Sequence, residues 1–188
     1  MHSGYAQRFK GGLHIGLLAT QVDGDDFSGY KKPGLFFGGF SNIPFYDGKM
    51  KLQLEIDYAQ KGSRSPSANA FRYKIVLHQV EVPVVFGWKF WKEFSLEAGI
   101  SVNIIAGANE YFNNEIIPRN EGGCKFKFIE TGAIAGVNYT FSEHYALFFR
   151  FNYSLFPPLG TNVVQRVGND YRRYIFNNAM LFGFGYQF

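Results

Sequence analysis

The sequence predicts an all-β fold, an eight-stranded antiparallel β-barrel that crosses a membrane with its strands. Aromatic residues make up 19% of the 188 residues, more than the core of an ordinary soluble domain needs. The mean hydropathy is nevertheless only −0.13, and no stretch approaches the roughly 18 consecutive apolar residues of a membrane-spanning helix. Apolar and polar residues instead alternate with a period of two, which indicates strands with two different faces.

The C-terminal strand shows this alternation most clearly. Its opposite face is small or polar, with Leu181 as the one large apolar exception. The apolar face, broken only by Asn178, carries Tyr174, Phe176, Met180, Phe182, Phe184, Tyr186 and Phe188.

Seven further segments have apolar residues at alternate positions, so the predicted total is eight strands. Together with the residues that flank these runs, each strand reaches roughly ten residues or more, the length that a tilted transmembrane strand requires. In chain order, they run through Leu13–Leu17, Leu35–Ile43, Leu52–Tyr58, Val80–Phe90, Leu96–Ile104, Thr131–Phe141 and Tyr145–Leu155.

The connections between these strands alternate in length. Short turns are predicted at Ile43–Lys49, Trp88–Glu93 and Ser142–His144, whereas longer segments rich in Gly, Asn, Asp and Pro lie at Gln21–Gly29, Gly62–Ala70, Ala108–Lys125 and Pro157–Asp170. Short periplasmic turns and longer extracellular loops are typical of outer-membrane barrels. With an even number of strands, both termini fall on the periplasmic side.

The predicted domain organisation is a single barrel over residues 8–188. Residues 1–7 contain no apolar segment of the kind that a complete signal peptide needs. We interpret them as the remnant of a signal peptide or of another leader.

The apolar face is predicted to point outward, toward lipid. A soluble eight-stranded carrier of the lipocalin type would turn this face inward, where rows of Phe, Tyr and Leu would overfill a narrow lumen. The opposite face, made of small residues and isolated charges, suits such a lumen. The chain also ends in an amphipathic strand rather than a closing helix, and it has no Gly-x-Trp pattern near the first strand. These features favour the membrane barrel.

The segment Gly183-Phe-Gly-Tyr-Gln-Phe188 is similar to the C-terminal assembly signal of bacterial outer-membrane barrels, with Gly183, Phe184, Tyr186 and Phe188 as its signal residues. More widely, the chain resembles the PorT-like outer-membrane β-barrel family of Bacteroidetes. The matching segments are Gly11–Leu17, Lys32–Gly38, Leu52–Gly62 and Val80–Val84. The resemblance implies an integral outer-membrane location, an exported precursor and recognition by the barrel-assembly machinery. It implies no single activity.

The inward face carries isolated charges that predict a salt-bridged lumen, because an unpaired charge in a narrow interior is costly. Arg150 lies in the middle of its strand and is predicted to contact at least two of four glutamates. The alternative is a gated path for ions or small solutes. The predicted network comprises Arg150, Glu55, Glu81, Glu97, Glu130, Lys10 and Lys51.

For function, the sequence favours a non-enzymatic barrel that acts through its extracellular loops in a structural, adhesive or partner-binding role. A narrow channel or small-solute porin is the alternative, and a lipid-modifying enzyme is less favoured, because His14, His78 and His144 accompany no nucleophile motif. No metal or cofactor is predicted. Scattered Lys and Arg do not favour nucleic acid as a partner. The expected partners are outer-membrane lipid, the assembly machinery and an unidentified protein.

Overall fold

The computed structural model describes residues 9–23, 29–65, 72–118, 125–155, 160–166 and 169–188. Residues 1–7, where we predict a leader remnant, lie outside these ranges. The strands, in chain order, are β1 (Lys10–Asp23), β2 (Lys32–Phe45), β3 (Met50–Arg64), β4 (Tyr73–Trp91), β5 (Phe94–Phe112), β6 (Glu115–Ile116), β7 (Lys125–Phe126), β8 (Ile129–Thr140), β9 (Tyr145–Ser154), β10 (Gly160–Arg166) and β11 (Asn169–Gln187).

Eight of these strands form a closed antiparallel barrel, in the order β1, β2, β3, β4, β5, β8, β9 and β11. The barrel closes because the last strand pairs with the first, from Gly12 opposite Gln187 to Asp23 opposite Phe176. Closure leaves no strand edge of the barrel without a partner. The predicted fold class is therefore confirmed, including the short turns after β2, β4 and β8.

The two faces of the barrel point as the alternation predicts. Ile100 and Phe149, on the apolar face, are 66% and 48% exposed in the isolated barrel, whereas Arg150 is 2% exposed. A soluble carrier would have the opposite arrangement. A few large apolar residues, among them Phe36 and Phe148, also point inward and form part of the lumen packing.

Glycines make room for the large side chains of the lumen. Gly183 lies directly opposite Phe148, and a Cβ at Gly183 would collide with the Phe148 ring. Gly136 has the same relation to Arg150, where a Cβ would lie 2.8 Å from Arg150 Cγ. An inward glycine on one strand thus leaves space for a bulky partner on the next.

The structure corrects the prediction at the end of the barrel that carries the longer connections. The segment predicted as a loop over Pro157–Asp170 contains β10 and the start of β11, which pair from Gly160 opposite Ile175 to Arg166 opposite Asn169. Strands β4, β5 and β11 each have 19 residues. A strand that continues beyond the membrane does not need an apolar face there. The sequence of such a continuation therefore shows no clear alternation of apolar and polar residues. No helix within the described ranges is long and apolar enough to cross a membrane.

Candidate functional site in the barrel lumen

The lumen contains successive layers of side chains, and the period of two in each strand directs those side chains inward. The first layer above the short-turn end is centred on Arg150 of β9. Its Nη1 and Nη2 donate to the two oxygens of Glu55 at 2.8 and 2.9 Å, and its Nε donates to Glu97 at 2.7 Å. Lys51 Nζ lies 2.9 Å from the other Glu97 oxygen. This layer joins two cations to two carboxylates, with the bidentate geometry that Arg favours.

The remaining predicted network residues lie elsewhere. Glu81 pairs with Lys61 at 2.5 Å, and Glu130 accepts a hydrogen bond from Asn103 at 3.1 Å. Lys10 is exposed at the turn end, and within the part of the chain that the structure describes it forms no ion pair. Arg150 thus contacts two of the four glutamates. Lys61 was not among the predicted residues, although it shares the parity of Glu55 along β3.

A row of acidic and amide side chains crosses four neighbouring strands above the Arg150 layer. Asp57 lies opposite Glu81, Glu81 opposite Asn103, and Asn103 opposite Glu130. All four are at least 98% buried. Lys61 is the cation paired with this row, through Glu81. Carboxylates therefore outnumber cations at this level.

Several oxygens of this row have no hydrogen-bond donor among the described residues. They are Asp57 Oδ2, Asn103 Oδ1 and Glu130 Oε2. The other Asp57 oxygen lies 2.5 Å from His14 Nε2. Buried acceptors in such a polar setting are usually satisfied by ordered water or by protonation of a carboxyl group. The row is accordingly a polar level of the lumen with a place for ordered water or for a protonated carboxyl group.

His14, Glu55 and Asp57 could each offer one ligand atom to a metal ion, with these atoms within 4.8 Å of one another. The sequence did not suggest this group, because its members come from two strands and match no motif spacing. Arg150, however, already binds both oxygens of Glu55. A guanidinium at this position would repel a metal cation, so the geometry does not favour a metal centre.

An apolar cluster fills the lumen toward the longer connections. Its members come from β1, β4, β5 and β11 and are almost completely buried: Val22, Ile75, Leu77, Ile105 and Ile175. The alternation in the sequence does not reveal this cluster, because its members lie in or next to predicted loops or at the ends of predicted strands. The lumen is therefore closed by charged groups at one level and by aliphatic groups at another.

The three histidines within the described residues, His14, His78 and His144, lie on different surfaces. His14 is in the lumen, His78 is hydrogen-bonded to the Tyr58 hydroxyl at 2.6 Å on the outer face, and His144 lies in the turn before β9. His144 contacts the main-chain oxygen of Gln187 at 2.9 Å. These positions do not bring these three histidines together into one catalytic group.

Comparisons with known proteins agree with this architecture. A family model described as "Outer membrane protein beta-barrel domain" matches residues 5–159. Among solved structures, the chain is similar to Neisserial surface protein A, with a TM-score of 0.52, 11% identity, and coverage of 96% of this chain and 97% of that chain. No curated protein matches the chain.

A second similar structure is Ail, the attachment invasion locus protein of Yersinia pestis, in complex with the heparin analogue sucrose octasulfate. Its TM-score is 0.54 at 13% identity, with coverage of 96% of this chain and 99% of that chain. At such low identities the similarity establishes the fold alone.

Proposed function

Because the chain belongs to the family of outer membrane protein beta-barrel domains and is an integral outer-membrane protein, we propose that it acts as a non-enzymatic barrel with a closed lumen. Its role is structural, adhesive or partner-binding, and it is exerted from the extracellular end. We also propose that it belongs to the PorT-like branch. In support, the matching segment Leu52–Gly62 supplies Glu55, Asp57 and Lys61 to the lumen.

The observation that carries this proposal is the double closure of the lumen. The Arg150 layer lies about five residues from the short turns along β3 and β9. The apolar cluster around Leu77 and Ile175 lies nearer the opposite end. An eight-stranded barrel has an interior just wide enough for side chains. Two filled layers leave little room for a continuous solute path.

The long strands support a role at the extracellular end. A tilted transmembrane strand needs about 9–11 residues, whereas β4 and β5 have 19 each. Together with the β10–β11 hairpin, they extend the sheet beyond the membrane toward the longer connections. Such an extension gives a rigid support for loops that bind a partner.

A narrow channel is the second candidate, and one observation favours it. The acidic row contains buried oxygens without donors, which is the setting in which ordered water is expected. Transient opening of the two layers would then connect hydrated regions of the lumen.

Single-channel recording in planar bilayers tests the proposal. The wild-type protein should show no steady conductance. The variant Arg150→Ser, Glu55→Ser, Leu77→Ser, Ile105→Ser shortens two side chains in each closure and should conduct, which shows that the assay detects an open lumen. Steady wild-type conductance comparable to that of the variant would contradict the closed barrel and favour the channel.

A further inference from the structure

A cavity opens at the short-turn end of the lumen, below the Arg150 layer. Its volume is about 470 Å³, within the usual range for small-molecule sites. Arg150 and His14 line its inner end, and the turn-side ends of the barrel strands form its wall. Because the Arg150 layer closes the lumen above it, the cavity is a dead-end vestibule that opens toward the periplasm.

One half of the vestibule wall is basic. Three lysines line the cavity here: Lys10 at the start of β1, Lys49 in the turn between β2 and β3, and Lys89 near the end of β4. These elements are neighbours in the barrel, so the three lysines line one side of the opening. The main chains of Lys49 and Lys89 are hydrogen-bonded to each other at 2.8 Å.

This positive charge is not neutralised inside the vestibule. At the inner end, Arg150 and Lys51 are balanced by two glutamates. Lys89 lies 3.7 Å from Glu93, an exposed and weak pairing. In the described part of the chain, Lys10 and Lys49 form no ion pair, and Glu143 is the acidic residue on the cavity wall.

The other half of the wall offers neutral hydrogen-bonding groups. This side is lined by Asn138 and Thr140 at the end of β8, by His144 in the following turn, and by Gln187 at the end of β11. Gln187 accepts a hydrogen bond from Asn42 and donates one to the main-chain oxygen of Glu143, and the Thr140 hydroxyl donates to Asn138. The Asn138 amide nitrogen, the Thr140 oxygen and His144 Nε2 can still donate to or accept from ligand hydroxyls. Phe40 adds an apolar surface between the two halves.

We propose that the vestibule binds a phosphorylated polyol, with the phosphate against Lys10 and Lys49 and the hydroxyls against the amide side. Lysine is a common phosphate ligand and acts as a point charge. The charge of two ammonium groups is matched better by a phosphate group than by a single carboxylate. The ligand is either a soluble periplasmic sugar phosphate or the headgroup of an anionic phospholipid such as phosphatidylglycerol. The site is independent of the loops and of the partner-binding role proposed above.

Isothermal titration of the protein in phosphatidylcholine nanodiscs tests the proposal, with glucose 6-phosphate as the probe and glucose as its uncharged counterpart. Glucose 6-phosphate should bind measurably and glucose much more weakly. The variant Lys10→Gln, Lys49→Gln should lower the affinity for glucose 6-phosphate about tenfold or more. These two exposed side chains hold no ion pair among the described residues, so heat-modifiable migration should show an unchanged barrel.

The matched control is the variant Lys31→Gln, Arg72→Gln, which removes the same charge from exposed positions at the opposite end. It should leave the affinity within about twofold of wild type, a difference well under 1 kcal/mol. A second titration in nanodiscs containing phosphatidylglycerol distinguishes the sources. Competition by the lipid assigns the site to a headgroup, and undiminished binding assigns it to a soluble ligand.

Three outcomes would overturn the proposal. The first is no detectable binding of glucose 6-phosphate by the wild-type protein in either nanodisc. The second is equal binding of glucose and glucose 6-phosphate, which would remove the role of the phosphate. The third is an equal loss of affinity in the control variant, which would show that only the overall charge matters.

Discussion

Replacing Arg150 with Met should strongly destabilise the barrel, and the structure indicates which carboxylate causes the loss. The guanidinium makes three hydrogen bonds to two buried glutamates. Without it, Glu97 keeps Lys51 at 2.9 Å, whereas Glu55 keeps the amide of Gln53 but has no other Lys or Arg partner among the described residues. Removing one partner of a buried ion pair lowers the free energy of unfolding by about 3–5 kcal/mol, mostly because the other charge stays buried without a partner.

Because the loss falls mainly on Glu55, a second substitution there should restore stability. Arg150→Met combined with Glu55→Gln leaves the balanced pair of Lys51 and Glu97 and should recover most of the 3–5 kcal/mol range. Arg150→Met combined with Glu97→Gln is the matched control. It leaves both Lys51 and Glu55 without their charged partners and should recover much less.

Urea unfolding in phospholipid vesicles, followed by tryptophan fluorescence, measures these free energies of unfolding. The explanation is wrong if Arg150→Met is as stable as wild type. It is also wrong if the two double variants are equally stable, because the structure gives only one of the two glutamates a second cation.

Three further predictions address other parts of the barrel. Replacing Glu130 with Gln in the acidic row should change stability by less than about 1 kcal/mol, whereas Glu97→Gln, which removes the partner of two cations, should cost about 3 kcal/mol in the same urea assay. Replacing Phe149, the central outward residue of β9, with Arg should lower the free energy of unfolding by about 2–4 kcal/mol. Replacing Ser101 in the lumen with Asn should lower it much less, and equal stability of these two variants would refute the assigned faces. Phe188→Asp should lower the folded yield in the outer membrane, measured by heat-modifiable migration, and an unchanged yield would count against an assembly signal.

The faces of the strands could be predicted from the sequence because a period of two is a local property of extended backbone. The inward position of Arg150 and Glu55 follows from parity alone and needs no knowledge of neighbouring strands. The same parity also includes Lys61, but this residue lies between the predicted strand, Leu52–Tyr58, and the loop predicted from Gly62 onward. In the structure, β3 continues to Arg64.

The levels of the lumen could not be predicted, because they depend on the register between strands. The row from Asp57 to Glu130 exists only because four strands place these residues at one height. Their sequence positions, 57, 81, 103 and 130, contain no sign of this alignment. A bulge between β4 and β5, at the register shift between His78 and Gln79, further changes the pairing above the row.

Gly183 shows how folding and a proposed signal can depend on one residue. Sequence similarity places it in the C-terminal assembly signal, but in the structure its missing side chain gives the Phe148 ring its space. Phe148 in turn lies against the Arg150 guanidinium, 4.7 Å from the ring centroid. A larger residue at Gly183 would therefore disturb the Arg150 layer as well as any signal. Phe188 separates the two effects, because its side chain is exposed and its main-chain N–H donates to Gly11 whatever the side chain is.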